Sequence, residues 1–220
     1  MTPSKLVLLL TAATFAAPVA KAQDAGAQDA GAQDAGARAQ DAGTKAPAQM
    51  SAAEQEMMQK YMQAATPGPE HQKLAKLAGK WKLQVTSWFA PGAPPQKSDG
   101  TAEFKTILGG RYVQQEVKGE MGGQPFEGMG IMGFDNVTKE RFATWTDSMS
   151  TGLMVMRGKC PADAKKCTTK GRMSDAVAGK EVPFSETTTM TDDDHFKFEL
   201  RGPGPDGKQF KMLEIVYTRQ

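Results

Sequence analysis

The chain has 220 residues, 27 basic against 25 acidic side chains, two histidines and two cysteines, a length that suits one folded domain with extensions. A near-neutral balance with no Lys/Arg stripe excludes the electrostatic footprint of a nucleic-acid binder. No segment is apolar for long enough to span a bilayer as a helix.

Residues 1–22 read as a signal peptide. Lys5 gives a positive start, Leu6 to Ala17 is an apolar run broken by Pro18, and Ala20-Lys21-Ala22 offers a small-x-small cleavage site. This leader carries two of the 27 basic residues and no acid, so the remainder is formally neutral at 25 against 25. The expected location is periplasmic or secreted, after cleavage near Ala22. Residues 23–49 follow as a spacer built on the repeat QDAGA. With no branched or aromatic side chain in the repeat to bury, it is expected to be disordered.

A short helix is predicted within 50–66, opened by a capping box from Ser51 to Glu54 and stopped at Thr66-Pro67-Gly68-Pro69. Met50, Met57, Met58, Tyr61 and Met62 form a partial apolar stripe, which reads as a packing face, so the helix is expected to dock loosely on the domain or to fray. A second helical turn is expected near 70–77.

From residue 67 to 220 the pattern is β. Lys80 to Phe89 alternates, with Trp81, Leu83, Val85 and Phe89 on one face. Further strands are predicted at 99–107, 111–118, 126–134, 141–147, 152–160, 167–174, 183–191, 194–201 and 208–218, with breaks rich in Gly, Asn and Asp. Short local connections without intervening helices favour an all-β, antiparallel up-and-down barrel over a sandwich, because closure removes the sheet edges.

The segments PGPEHQKLAKLAGKW (67–81), ILGGRYVQQEVKGEMGGQPFEGMGIMGFDNVTKERFATWTDSMSTGLM and GPDGKQFKMLEIVYTR resemble the bacterial family called domain of unknown function 1579. The resemblance runs from about Pro67 to Arg219 and implies a lipocalin- or calycin-like barrel. Leu77-Ala78-Gly79-Lys80-Trp81 is similar to the Gly-x-Trp opening of such barrels. The family implies no reaction, substrate or catalytic residue.

Cys160 and Cys167 flank a short Pro-containing loop, and in an exported chain that spacing reads as a disulfide. No nearby His or third Cys completes a metal site. His71 reads either as a cap at one barrel end or as a ligand-contacting or catalytic group. His195 follows Asp192-Asp193-Asp194 at a turn, where consecutive aspartates point in different directions and make a poor cation site. No nucleophile elbow, phosphate loop or dinucleotide fingerprint is present, and no cofactor is expected.

Phe126, Gly128, Gly130, Met132 and Phe134 share a face. Glycines there imply either close backbone approach, with strong strand coiling, or room for a ligand. Trp145, Asp147, Met154 and Met156 follow on neighbouring strands. Arg111 and Glu116 fall on opposite faces of a regular strand, so one of them points inward. An inward Arg111 needs an acid, with Asp147, Glu103 and Glu127 as candidates. The candidate ligand-binding residues are therefore His71, Arg111, Gly128, Gly130, Met132, Trp145, Asp147, Met154 and Met156. The leading functional expectation is a non-enzymatic binder of a small apolar molecule. An enzyme using the same cavity and a filled structural barrel remain open beside it.

Overall fold

A computed structural model of the protein describes residues 50–161 and 164–220. The expected leader and spacer, residues 1–22 and 23–49, lie outside the described residues. Two helices precede ten strands: α1 Ala52–Ala65, α2 Pro69–Ala75, β1 Gly79–Ser87, β2 Gln96–Ile107, β3 Tyr112–Met121, β4 Gln124–Asp135, β5 Glu140–Asp147, β6 Met154–Gly158, β7 Lys166–Asp175, β8 Lys180–Met190, β9 His195–Pro203 and β10 Gln209–Arg219. Each strand pairs with the next, and β10 pairs with β1, so the sheet closes into an antiparallel barrel. All ten predicted strands are present. Phe89 is the exception to the β1 pattern: the strand ends at Ser87, and Phe89 is exposed in the proline-rich loop that follows.

Alternation carries one side chain of each pair into the barrel. At the end covered by α2, these side chains make an aromatic plug. Trp81 is wholly buried, with Phe196 at 4.9 Å and Phe104 at 6.2 Å between ring centroids. Phe196 stacks on Tyr217 at 4.1 Å. Leu83, Val113, Val117 and Ile215 extend the same core.

The seam between β1 and β10 is fastened by Arg219. Its guanidinium lies 4.2 Å above the Trp81 ring and donates to the carbonyls of Lys76, Ala78 and Asp193, and to the Asp194 carboxylate at 3.0 Å. Trp81 Nε1 donates to Leu77 O, tying the ring to the approach from α2. Gly79 is required between them. Its φ of +130° is one that L side chains rarely adopt, and a Cβ there would meet Arg219 Nη1 at 3.0 Å.

The helices differ in how they are held. In α2, His71 is buried, accepts from Gly68 N through Nδ1 and sets its ring edge-on to Phe134. Glu70 bridges to Arg141 on β5 at 3.0 Å. The capping box of α1 is present, but the helix buries none of its residues. Its link to the barrel is Asn136 Nδ2, which donates to Ala64 O and Thr66 O. The Met stripe is thus not a packing face: Met57, Met58, Tyr61 and Met62 are all exposed. Four methionine and tyrosine side chains on so polar a helix leave too little apolar area to draw it onto the sheet. Cys160, in the β6–β7 connection, and Cys167, near the start of β7, sit at bonding distance, with Cα atoms 5.3 Å apart.

Replacing Arg219 by Met keeps much of the side chain's bulk over Trp81 but deletes its charge and every donor. Loss of hydrogen bonds to charged groups and of the ring contact is expected to cost about 2–3 kcal/mol, read as a lower denaturation midpoint in urea.

Candidate functional site

Beyond the aromatic plug the barrel is not filled. A cavity of about 1130 Å³ remains, and its lining reaches from Leu74 and Leu77 beside α2 to Met149 in the β5–β6 loop. Most of the wall is apolar: Leu83 on β1, Phe126 and Met132 on β4, Phe198 and Leu200 on β9 and Leu213 on β10 face it. Inward parity explains the composition, since each strand contributes alternate residues to the lumen, while outward positions are mostly polar, with Met129, Ile131 and Val155 as exposed exceptions.

Six of the nine sequence-derived candidates line this cavity: Gly130, Met132, Trp145, Asp147, Met154 and Met156. They converge because β4, β5 and β6 are neighbours, with Gly130 opposite Trp145, Met132 opposite Ala143, and Ala143 opposite Met156. The two glycines border a side chain rather than empty space. A Cβ at Gly128 would collide with the Trp145 ring, and one at Gly130 would meet Thr144 O at 2.5 Å and Trp145 Cε3 at 3.1 Å. Close approach is therefore their role, and the indole occupies the groove they leave. Trp145 Nε1 donates to Asp147 Oδ2 at 2.9 Å, and Asp147 Oδ1 accepts from Met149 N. The ring and the rim carboxylate thus hold each other.

Three candidates lie elsewhere. Gly128 is beneath the indole and outside the cavity lining. His71 is engaged within α2, as described. Arg111 does not enter the barrel: it precedes β3, is exposed, and donates to Leu108 O at 3.1 Å in its own hairpin turn. The parity argument fails there because Arg111 stands outside the pleated strand whose alternation it assumed. No Arg111–Asp147 pair forms. Glu116 is outward on β3, near Gln114 and Lys105. At the β8–β9 turn, Asp192 is held below the ordinary carboxylate range, chiefly by its hydrogen bond with His195 and also by Asp194 N. Among the described residues no group of three or more His, Cys, Asp or Glu is arranged to hold a metal ion.

A polar cluster in mid-barrel escaped the sequence reading. Glu186 on β8 accepts from Thr169 Oγ1 on β7 at 2.7 Å, across a directly paired position. Gln115 Nε2 on β3 donates to the Tyr217 hydroxyl on β10 at 3.1 Å. All four residues line the cavity, and Gln115, Thr169 and Tyr217 are buried. Burial pushes the Glu186 carboxyl above its ordinary range, against the Thr169 hydrogen bond, which favours the charged form. Tyr217 is pushed far up, first by burial, with the Glu186 charge adding to it. A signal for this cluster does exist in the sequence. Val182, Phe184, Glu186, Thr188 and Met190 alternate, so an acid occupies an inward position of an otherwise apolar and hydroxyl face.

Two outcomes follow from this geometry. Gly130→Leu overpacks the contact with β5 and is expected to destabilise the barrel by about 1–3 kcal/mol, measured by thermal or urea unfolding. Glu186 has a folded pKa raised above its unfolded value near 4.5. Its stability contribution is thus complete below that value and is lost as pH rises through the folded pKa. Glu186→Gln should flatten the stability-versus-pH curve in that window and leave other windows unchanged.

The family described as "Protein of unknown function (DUF1579)" matches residues 66–219. Among solved structures, Rv2717c from M. tuberculosis superposes with a TM-score of 0.54 at 16% identity, covering 70% of this chain and 99% of that one. At that identity the likeness concerns the fold alone. A redesigned β-barrel (TM-score 0.36, 15% identity, 71% of this chain and 99% of that one) and a de novo designed fluorescence-activating β-barrel (0.37, 14%, 66% and 96%) are also similar. No curated protein matches the chain. The match over residues 66–219, most of the chain, is decisive: the protein belongs to the DUF1579 family.

Proposed function

We propose that this DUF1579 member is an exported binding protein that holds a small, mainly apolar molecule in its barrel lumen. One observation carries the reading: a cavity of about 1130 Å³ with an apolar wall and a compact set of polar groups. Pockets that take small molecules are roughly 300–1,000 Å³ and share that composition. The size of the cavity argues against a solid, purely structural barrel. Trp145, Met154 and Met156 form an adaptable wall, because an indole gives a flat apolar surface and thioethers conform to irregular shapes.

An enzyme is the second reading, and the Glu186–Thr169 contact is what favours it. A carboxyl group with raised proton affinity beside a hydroxyl is a plausible acid–base pair. The lining contains no histidine or serine, and its cysteine, Cys167, is bonded to Cys160. A nucleophile with an oriented base is therefore not assembled there, and the binding reading is preferred. Export rests on the residue pattern of 1–22 and on a cysteine pair of the kind that persists in oxidising compartments. On this view residues 23–49 form a spacer ahead of the barrel. Among the described residues no helix is long and apolar enough to cross a membrane.

The test is cavity filling. N-phenyl-1-naphthylamine, an uncharged dye that brightens in apolar sites, should bind the purified protein with one-site saturation. Leu200→Trp and Met154→Trp each place an indole in the lumen and should weaken that binding by about tenfold or more, a change of about 1.4 kcal/mol. Undiminished binding in both folded variants would mean that the dye sits outside the barrel.

A further inference from the structure

The charges at inward positions of the lumen are unequally paired. Inward strand positions that line the cavity carry two acids, Glu186 on β8 and Asp147 on β5, and two bases, Arg141 on β5 and Arg219 on β10. Both bases are ion-paired at the α2 end: Arg141 with Glu70 at 3.0 Å through Nη2, its buried Nε without a hydrogen-bond partner, and Arg219 with Asp194 and three backbone carbonyls. Lysines that border the cavity do not change this. Lys118 faces Glu127 at 3.3 Å and Lys73 faces Glu70 at 2.9 Å, while Lys76 and Lys165 belong to α2's end and a loop rather than to inward strand positions.

Asp147 is held by two donors, Trp145 Nε1 and Met149 N. Glu186 is held by one. Thr169 occupies its Oε1, and among the described residues neither a second donor nor a cation reaches the carboxyl. A carboxylate set in an apolar cavity needs a proton or a counter-charge. A ligand with a protonated nitrogen supplies the counter-charge and N–H donors together. A carboxylate ligand brings repulsion, and a neutral alcohol brings one weak donor.

From the Glu186 carboxyl at mid-barrel, which no cation reaches among the described residues, and from the pairing of both inward arginines of the cavity wall with acids, we infer that the ligand is a cationic amphiphile. Its protonated nitrogen hydrogen-bonds Glu186, and its apolar body runs past Met156 and Trp145 toward the rim opposite α2. The inference rests on the reading of the lumen as a binding cavity.

Three probes of equal chain length separate head-group from body. Dodecylamine, dodecan-1-ol and dodecanoate are each titrated below their micellar concentrations at pH 7, against N-phenyl-1-naphthylamine bound to the wild-type protein. Dodecylamine is expected to displace the dye at about tenfold lower concentration than dodecanol, with dodecanoate weaker than both. Glu186→Gln, nearly isosteric and still able to accept from Thr169, should remove the amine preference by weakening dodecylamine far more than dodecanol. Asp147→Asn should retain the preference. Equal displacement by all three probes, or a preference for dodecanoate, overturns the inference and leaves the binding cavity standing. So does an amine preference that survives Glu186→Gln or disappears in Asp147→Asn. Absence of dye binding to the wild-type protein, with no direct calorimetric signal from any of the three probes, overturns both readings together.

Discussion

The guanidinium of Arg219 lies on the face of Trp81 while donating to carbonyls from two other parts of the chain, and this contact holds the closed end of the barrel together. It meets three requirements in one place. The seam between β1 and β10 gains a side-chain fastening in addition to its ladder of backbone bonds. The turn from α2 into β1 has its free carbonyls satisfied, as buried backbone groups require. The β8–β9 turn is drawn in through Asp193 and Asp194. A lysine could not do all this, since only a planar fork of donors can both stack and reach several acceptors.

With that end fixed, the aromatic plug can be small and the rest of the lumen can stay open. Four rings, from Trp81, Phe104, Phe196 and Tyr217, pack edge-on or stacked around the axis and exclude water there. The plug takes up only part of the lumen, and the cavity runs past it from Leu74 and Leu77 to Met149. The polar cluster of Gln115, Thr169, Glu186 and Tyr217 belongs to mid-barrel, where burial is deep enough to shift proton affinities and the cavity is still open to a ligand.

Much of this was legible in the residues because a strand repeats every two. Alternation identified all ten strands and the inward face of β4, and the turn residues marked the hairpins. Alternation says nothing about a residue just beyond a strand end, which is why Phe89 and Arg111 were misassigned. It also cannot say which inward side chain fills which space. Gly128 and Gly130 read equally well as room for a ligand or as close approach, and only the position of the Trp145 ring decides. Glu186 was visible as an acid in an inward register, but its neighbours Thr169, Gln115 and Tyr217 come from strands far apart in sequence. Their meeting is a property of barrel closure rather than of any local pattern. The Met stripe of α1 shows the converse: periodicity identified the helix and gave no measure of whether its apolar area sufficed for docking.

The β1–β10 seam also has a consequence for biosynthesis. Every other ladder in the barrel joins strands made one after the other, so hairpins can form in order as the chain emerges. The seam joins the first strand made to the tenth, and Trp81 stays without its cation until Arg219 has been synthesised. Until then β1 and the newest strand are both open edges, and a contact of such high sequence separation is slow to find. A ribosome-bound intermediate therefore remains an unclosed meander, vulnerable to edge pairing with its neighbours.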